Sequence, residues 1–418
     1  MKPMAMLSSL ISKHPGPHCL ERERRSLVAP VLNSCLLQFT YLEHLDLSGN
    51  NFQYSPIPQI FEPPWALTVN DVQWISNLSS LQHHGMAGIC LGETPSFFQV
   101  LNRFPSLLSF HLSQCGLNNS HLSWHPINSS FHGVRHLDLG QNDFPGTVPS
   151  MIQNMTSIRF LDLSFNLFIT SSIHNSFGNL KNLSHLNIAA NAFSGIENGG
   201  YVPNWLGMLG NHKHIHLSHN QLNGTVPESL GQLWNLETLD LSYDSLEGSI
   251  CEVHSASLSK LKTLSIGSTV SGIKGILPRF SSNLNNLISG VLSERMGDML
   301  PHLSSLILSN NLIKGSILNS LHRQDIEVVD QSSNNLSGVV PSTMGHLGSL
   351  TWLDLSNNNL SGELSLALKN CTSLRFLYVG GNALSGNVPK WIGDSFGYLR
   401  IPRLRGNKFN SSIPWQLC

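Results

Sequence analysis

The residues best suited to chemistry are the histidines, of which the chain has 20. The segment HKHIHLSH at 212–219 would place His214 and His216 on one face of a strand, with His185 on the neighbouring strand. Imidazole nitrogens bind zinc, but a zinc site needs three or four ligands, and no carboxylate or thiolate accompanies these at a fixed spacing. The pattern therefore favours neither a metal site nor a cofactor.

Nucleophilic and phosphate chemistry have no better support. The sequence has no Ser-His-Asp order, no phosphate-binding loop and no H-E-x-x-H segment. Isolated Asp and His residues are plentiful, but each falls into one repeating register. The sequence therefore predicts a protein that is not an enzyme.

Composition narrows the class of partner. The chain has 24 Lys and Arg against 25 Asp and Glu, and charged residues make up only 12% of its 418 positions. A nucleic-acid partner would require a basic excess to pair with phosphates. No apolar run reaches the ~18 residues of a membrane-spanning helix. We expect neither a nucleic-acid binder nor a transmembrane anchor in this chain.

The elements that position these residues come from an internal repeat. LEHLDLSGNNF at 42–52 recurs as VRHLDLGQNDF at 134–144, LETLDLSYDSL at 236–246 and LTWLDLSNNNL at 350–360, mostly in steps of 23 to 25 residues. The template LxxLxLxxNxL is that of the leucine-rich repeat, and it predicts about fifteen turns along the chain. The two leucines of LxL point inward from a short strand, and stacked turns bury them against one another.

A second signature, LxGxxP, follows the Asn of several turns, as in LNGTVP at 222–227 and LSGVVP at 336–341. This variant resembles the plant-specific class of leucine-rich repeats. The resemblance implies a right-handed α/β-type solenoid. It also implies parallel strands on the concave face, a short second sheet, and a convex side that is mostly irregular or 3-10 helical.

Longer segments indicate a subgroup. CLERERRSL at 19–27, DVQWISNLSSLQ at 71–82 and LKNCTSLRFLYVGGNALSGNVPKWIG at 368–393 resemble plant receptor-like proteins, in the subgroup that includes receptors for fungal ethylene-inducing xylanase. The resemblance implies a cell-surface glycoprotein of plant defence. Such a protein binds an extracellular protein or peptide ligand and signals through a co-receptor kinase.

The chain also departs from that family. We interpret 1–18 as a weak leader, 19–39 as a remnant of the N-terminal cap, 40–266 and 303–418 as repeats, and 267–302 as a degenerate junction. The step from Thr269 to Asn286 is only 17 residues, which predicts a gap in the strand ladder there. No transmembrane segment follows, so the chain resembles a partial copy that would be anchored at the plasma membrane or secreted.

Four core positions depart from the repeat. Histidine stands where leucine belongs at His84 and His212, and Gln331 and Pro402 occupy inward strand positions. The seven cysteines are scattered through different turns and favour free thiols over a disulfide framework.

The exposed face of the strands carries three candidate features. The first is a column of aspartates, which we interpret as solvated template residues: Asp46, Asp138, Asp162, Asp240, Asp330 and Asp354. The second is a column of histidines that would charge at mildly acidic pH: His44, His83, His136, His185 and His214, with His216 one step over. The third is a cluster of exposed aromatics beside arginines, the composition of a binding hot spot: Trp352, Phe376, Tyr378, Arg375, Arg403 and Arg405, with Arg400 nearby.

Ten N-x-S/T sequons are candidate glycosylation sites in a secreted protein. They are Asn77, Asn118, Asn128, Asn154, Asn182, Asn223, Asn335, Asn359, Asn370 and Asn410.

Two other functions stay open at this point. One is a secreted inhibitor of microbial wall-degrading enzymes, although such inhibitors have about ten turns and intact caps. The other is a non-functional receptor remnant. The sequence does not identify the ligand.

Overall fold

The computed structural model describes residues 32–33, 41–48, 66–67, 72–89, 91, 96–122, 130–169, 177–193, 201–208, 210–267, 286–323, 325–395, 399–410 and 412–415. These residues fall into two compact units that divide after Phe168. The leader at 1–18 lies outside the described residues, as does all of the cap region at 19–39 except residues 32–33.

Unit 1, the part up to Phe168, is built on a sheet of parallel three-residue strands. These strands are His44–Asp46, His83–Gly85, Ser109–His111, His136–Asp138 and Phe160–Asp162. Two further pairs are Pro145–Gly146 with Leu167–Phe168, which is parallel, and Leu32–Asn33 with Ala66–Leu67, which is antiparallel. The helices are Val72–Asn77, Phe97–Leu101, Asn119–Leu122, Ser130–Gly133 and Ser150–Gln153.

Unit 2, from Ile169 onward, has two parallel sheets. The first contains His185–Asn187, His214–His216, Thr238–Asp240, Thr263–Ser265, Ser305–Ile307, Val328–Asp330, Trp352–Asp354, Phe376–Tyr378 and Ile401–Arg403. The second contains Asn223–Thr225, Ser245–Ser249, Leu287–Val291, Leu312–Gly315, Asn335–Gly338, Asn359–Glu363, Ala383–Gly386 and Lys408–Phe409.

Short helices, most of them of the 3-10 type, connect the two sheets of unit 2. They are Asn204–Met208, Glu228–Gln232, Glu252–Ser255, Met296–Met299, Asn319–Arg323, Ser342–His346, Leu366–Asn370 and Trp391–Ser395. The prediction of a leucine-rich-repeat solenoid with a second sheet is confirmed.

The core follows from the strand period of two. The middle residue of each strand points inward, and Leu137, Leu239 and Leu353 are each at most 3% exposed. The glycine at this position of the repeat lies in the second sheet at positive φ, as at Gly248 in LEGSIC, with φ +90°. A Cβ there would approach the Thr225 side chain to 2.9 Å, so glycine satisfies both the turn and the close strand contact.

The Asn of each turn ties that turn to the one before it. Asn334 donates through Nδ2 to the carbonyls of Leu308 at 2.9 Å and Gln331 at 3.2 Å. Its Oδ1 accepts from the backbone amide of Ile313 at 3.0 Å. Cys115 occupies the same position in unit 1, where its thiol donates to the carbonyl of Met86 at 3.1 Å. Buried backbone groups that each turn leaves without strand partners are thereby satisfied.

The aspartate column has a structural role that sequence reasoning missed. Asp354 accepts through Oδ1 from the Ser356 amide at 2.9 Å and the Ser356 hydroxyl at 2.6 Å, and Asp330 does the same with Ser332. These two carboxylates are 3% and 2% exposed. Our interpretation of them as solvated was wrong, because the D-x-S spacing lets each side chain close its own turn.

The predicted gap at the junction is also wrong. Thr263–Ser265 pairs directly with Ser305–Ile307, so the first sheet of unit 2 continues across this region. Asn286 serves as the ladder Asn of the Thr263–Ser265 turn, since its Nδ2 donates to the carbonyls of Ile266 at 2.5 Å and Leu241 at 2.9 Å. Thr269 lies outside the described residues. Thr269 therefore does not mark a turn of its own. The residues between Ile266 and Asn286 are an insertion within a single turn.

The polar residues at core positions are buried as expected. His84 and His212 are 0% exposed, Gln331 is 1% exposed, and neither nitrogen of either histidine has a hydrogen-bond partner. Pro402 is paired in register with Leu377 at the last strand of the first sheet. Within the described ranges, Cys115, Cys251 and Cys371 are free thiols. No helix among these residues is long and apolar enough to cross a membrane.

Candidate functional site

Two aromatic side chains share one exposed position on neighbouring strands of unit 2. Trp352 and Phe376 are paired in register, and their ring centroids lie 4.8 Å apart at an angle of 43°. Both side chains are half-buried, so part of each ring faces solvent. The strands Val328–Asp330 and Ile401–Arg403 flank this pair on either side. The backbone is therefore held by pairing on both edges, and the rings form a rigid platform.

Tyr378 supports this platform from below. Its ring meets that of Trp352 edge-on at 5.3 Å and that of Phe376 at 6.3 Å. The side chain is only 4% exposed, so the expectation that Tyr378 is an exposed contact residue is wrong. The neighbouring rings and an arginine cover it. Aromatic pairs of this geometry contribute about 0.5–1.5 kcal/mol each beyond their buried area.

Arg403 completes the cluster from the next strand. It is paired in register with Tyr378, and its guanidinium carbon lies 4.4 Å from the Tyr378 ring centroid. Burial raises the pKa of Asp354, and the positive charge of Arg403 acts in the opposite direction. The guanidinium is therefore oriented by a ring beneath it while remaining exposed to a partner.

The other arginines surround the platform. Arg375 and Arg400 occupy the position before adjacent strands, where the Arg400 amide donates to the Arg375 carbonyl at 2.8 Å, and Arg405 lies two residues beyond Arg403. All four arginines of this surface are exposed. Within the part of the chain that the structure describes, none of them forms an ion pair with a carboxylate. We call Trp352, Phe376, Arg375, Arg400, Arg403 and Arg405 the aromatic–arginine surface.

This surface suits binding. Half-exposed rings offer apolar contact, and exposed guanidinium groups offer two-pronged hydrogen bonds to carboxylates. Among the described residues, no group of three or more His, Cys, Asp or Glu side chains is arranged to hold a metal ion. The predicted site residues are therefore brought together, with Tyr378 as their support.

The structure adds ring stacking to the histidine column of unit 1. His44 stacks on His83 with centroids 4.2 Å apart, and His136 stacks on Phe160 at 4.0 Å. His111, which sequence reasoning missed, packs against His136 at 4.2 Å. Counting along the repeat could have found His111, because it is paired in register with Asp138 and so lies in the column of aspartates, next to the column of histidines. In unit 2, His185 and His214 pack at 4.3 Å.

A thiol–imidazole contact at Cys251 was also not foreseen. The Cys251 sulfur lies 3.2 Å from Nδ1 of His254, which accepts the Cys251 amide at 3.1 Å. His254 Nε2 donates to the Val226 carbonyl at 3.0 Å. His121 in unit 1 makes the same contacts with the Asn118 amide and with a carbonyl of the preceding turn. Because the arrangement recurs without a thiol, the histidine is a structural cap.

The candidate glycosylation sites differ in exposure. Exposed side chains are those of Asn77, Asn154, Asn182, Asn335, Asn359, Asn370 and Asn410. Asn118 is half-buried and accepts from the Ser120 hydroxyl at 2.7 Å. Asn223 is half-buried with a buried Oδ1. Asn128 lies outside the described residues.

Comparison with known proteins also identifies leucine-rich repeats in this chain. Leucine-rich-repeat family models match residues 326–384, 41–63 and 213–233. Receptor-like protein 39 of Arabidopsis thaliana is 31% identical over 201 residues, which are 46% of this chain and 19% of that protein. Receptor-like protein EIX1 of Solanum lycopersicum is 29% identical over 197 residues, which are 38% of this chain and 19% of that protein. The matched segments therefore span about a fifth of each relative.

A solved structure shows the same fold. It is the leucine-rich-repeat ectodomain of the Arabidopsis receptor kinase HAESA, in complex with an N-terminally extended IDA peptide hormone. The two structures agree with a TM-score of 0.60 at 25% identity, over 82% of this chain and 61% of the other. The sequence repeat, the two-sheet solenoid and these relatives all indicate the leucine-rich-repeat fold. The chain has the leucine-rich-repeat solenoid fold, and the curated proteins that it is similar to are plant receptor-like proteins.

Proposed function

We propose that this chain is the ligand-binding part of a plant cell-surface receptor-like protein in defence signalling. It binds an extracellular protein or peptide at the aromatic–arginine surface, and it performs no catalysis. The observation that carries the proposal is the pair of half-exposed rings of Trp352 and Phe376 beside four arginines that form no ion pair with any described carboxylate. In the HAESA structure, a receptor of the same fold is in complex with a peptide hormone.

The chemistry of this surface defines the ligand class. Four exposed guanidinium groups favour a segment that carries carboxylates. The ring pair favours an apolar or aromatic side chain next to them. Because the rings are mounted on strands paired at both edges, binding orders little of the receptor and costs little conformational entropy. The expected ligand is therefore an acidic segment with an apolar anchor.

Signalling follows from the resemblance to receptor-like proteins. Such proteins lack a kinase of their own, so a co-receptor kinase would transmit the signal. The proposed location is the plasma membrane or the cell exterior. The exposed sequons of the second sheet, Asn335 and Asn359, are consistent with passage through the secretory pathway.

The test is a selection from a random peptide library against the purified full chain, with a fungal xylanase as a protein probe. Bound sequences are expected to be enriched in acidic residues next to an aromatic or aliphatic residue. Changing Trp352 and Phe376 together to Ala is expected to weaken binding at least about tenfold, as for hot-spot residues.

The matched control is Trp234→Ala. Trp234 is 56% exposed and lies under Lys260 at 5.0 Å, so it is an exposed tryptophan beside a cation outside the aromatic–arginine surface. Binding is expected to survive this change. Equal loss in both variants, or selected peptides with no acidic preference, would refute the proposed ligand class.

A further inference from the structure

Two neighbouring strands in the second sheet of unit 2 expose large apolar side chains. The strand Leu287–Val291 exposes both of its end residues, by 51% and 65%, and Leu312 at the start of the next strand is 44% exposed. Leu312 is paired in register with Ser289, which lies midway between Leu287 and Val291. The three apolar side chains are therefore neighbours on one face of the sheet. Single exposed apolar residues are common, but adjacent ones form a patch.

The repeat template does not account for the two leucines. The outward position before the inward Leu of the second sheet is polar on other strands, as at Ser245, Asn335 and Asn359. Asn335 and Asn359 are sequon residues, whereas Leu287 and Leu312 occupy the same position of their own turns. These two strands are therefore more apolar than their neighbours, and they carry no sequon.

One acidic and one basic side chain border the apolar residues at opposite corners. Glu247 is paired in register with Leu287 at one end, and Lys314 is paired with Val291 at the other end. Both charged side chains are exposed, and neither forms an ion pair with another described residue. Strand spacing and rise put their Cα atoms roughly 16 Å apart. We call Glu247, Leu287, Val291, Leu312 and Lys314 the second-sheet patch.

The backbone beneath the second-sheet patch is held in place. The strand Leu287–Val291 is paired on both edges, with Ser245–Ser249 on one side and Leu312–Gly315 on the other. A Cβ at Gly315 would lie 2.8 Å from Cγ1 of Val291, so the Val291 side chain packs over that glycine. A partner therefore meets a preformed surface and orders little of it on binding.

The arrangement of the second-sheet patch is complementary to itself. Consider a two-fold axis in the plane of contact, at right angles to the line from Glu247 to Lys314. It would place Lys314 of one copy on Glu247 of the other, and symmetry would form the same pair a second time. It would also place Leu287 of one copy on Leu312 of the other. Sheets that pack face to face lie about 10 Å apart, a distance at which opposing side chains of this size meet.

We propose that the second-sheet patch binds a second copy of this chain and forms a symmetric, weak dimer. The apolar side chains supply the driving force, because their contact removes apolar surface of both copies from water. The Lys–Glu pairs at the corners set the register of the two sheets. An apolar patch with one charge of each sign at opposite corners matches itself, which favours a second copy over a lipid surface or a different protein. The patch is small, so the dissociation constant is expected at about 1–100 µM.

The dimer contact is separate from ligand binding. The aromatic–arginine surface lies on the first sheet of unit 2, and the second-sheet patch lies on the other sheet. Each copy in the dimer would therefore keep its own ligand surface. The two proposals can fail independently, because a monomer can bind ligand and a dimer can form without one.

The test is sedimentation velocity of the full chain from about 1 to 200 µM, after enzymatic removal of N-linked glycans so that none covers the patch. The average mass is expected to rise toward that of a dimer over this range. Lys314→Glu or Glu247→Lys alone is expected to weaken association at least about tenfold, because symmetry duplicates each like-charge contact. An equimolar mixture of these two variants is expected to associate again, since each supplies the charge that the other lacks.

The matched control is Lys408→Glu, which makes the same change of charge at an exposed residue of the second sheet outside the patch. It is expected to leave the dissociation constant unchanged. Leu312→Ser is expected to weaken association about tenfold, and circular dichroism verifies that every variant is folded. A chain that stays monomeric throughout the range would overturn the proposal. So would single charge variants that associate as well as the original chain, or a mixture that does not recover association.

Discussion

Asp244 accepts the backbone amide of Asn220 at 3.1 Å and that of Leu222 at 3.0 Å, both through the same carboxylate oxygen. The other oxygen is buried and has no partner. Asp244 occupies a ladder position at which other turns carry Asn, whose amide donates to backbone carbonyls. A carboxylate cannot donate, so only the protonated acid can make the equivalent hydrogen bond.

The first prediction concerns Asp244→Asn. Burial raises the pKa of Asp244 well above its ordinary value of 3.8, so the folded state holds a proton that the unfolded state releases. The contribution of Asp244 to the free energy of unfolding is therefore fully present below its ordinary pKa of 3.8 and is lost as pH rises toward the folded pKa. Asn restores the donor, and we expect a gain of about 1–3 kcal/mol near pH 8 that shrinks toward pH 5.

Urea denaturation of both proteins at pH 5 and pH 8 measures this difference. The converse variant, Asn220→Asp, creates a second buried acid on the neighbouring turn and is expected to lose more stability at pH 8 than at pH 5. An equal gain for Asp244→Asn at both pH values would mean that the carboxyl is not protonated in the folded state.

The second prediction concerns His84→Leu. Burial lowers the pKa of His84 to about 4, against an ordinary value of 6.5. The neutral imidazole therefore stabilises the fold above pH 6.5, and this contribution is lost as pH falls from 6.5 toward 4. We expect the variant to gain about 2 kcal/mol more at pH 5 than at pH 7.5.

Thermal or urea denaturation at both pH values provides the measurement. His44→Gln is the control, because His44 is exposed on the adjacent strand and is paired in register with His83. A gain for His84→Leu that does not change with pH would show that the buried histidine does not resist protonation.

The third prediction concerns Asn286→Ala. Asn286 donates to the carbonyls of Leu241 and Ile266, and its Oδ1 accepts from the Leu246 amide at 2.9 Å. Its removal leaves three buried backbone groups without these partners. We expect a loss of at least about 2 kcal/mol and faster exchange of the Leu246 amide hydrogen.

Asn204→Ala is the matched control, since the Asn204 side chain is exposed, and it is expected to change stability by less than about 0.5 kcal/mol. If the two variants unfold at the same denaturant concentration, Asn286 does not join the turns on either side of the insertion.

The fourth prediction concerns glycosylation in a secretory expression host. Asn335 and Asn359 are exposed on the second sheet, and we expect them to carry glycan. Asn223 is half-buried, and the Tyr201 ring packs so closely over the neighbouring Gly224 that a Cβ there would lie 2.1 Å from it. We expect Asn223 to remain largely unmodified.

Enzymatic deglycosylation in heavy-oxygen water, followed by peptide mass spectrometry, reports the occupancy of each site. Occupancy of Asn223 equal to that of Asn335 would show that modification is complete before this part of the chain folds.

Much of the candidate surface was predictable because the repeat is a local pattern. The spacing LxxLxLxxN assigns inward and outward positions within each turn, since side chains alternate along a strand. It therefore placed Trp352 and Phe376 side by side, and it placed His84 and His212 in the core. The column of histidines followed from the same counting.

Sequence counting could not assign exposure on the outward face. Tyr378 and Asp354 hold outward positions, yet both are buried. The Trp352 ring and the Arg403 guanidinium, from the turns on either side, cover Tyr378, and Asp354 folds back onto Ser356. The counting also predicted a gap near Asn286, because it took Thr269 and Asn286 as the Asn positions of two successive turns.

The sequence by itself thus determined the repeat, the inward faces and the class of protein, since these depend on residue type and period alone. Only the tertiary structure decided that Asn286 closes the turn of Thr263–Ser265, that Asp244 lacks a partner for one oxygen among the described residues, and that His111 packs against His136. Those facts depend on which side chains from different turns come into contact. The stacking of the turns sets the distances between those side chains.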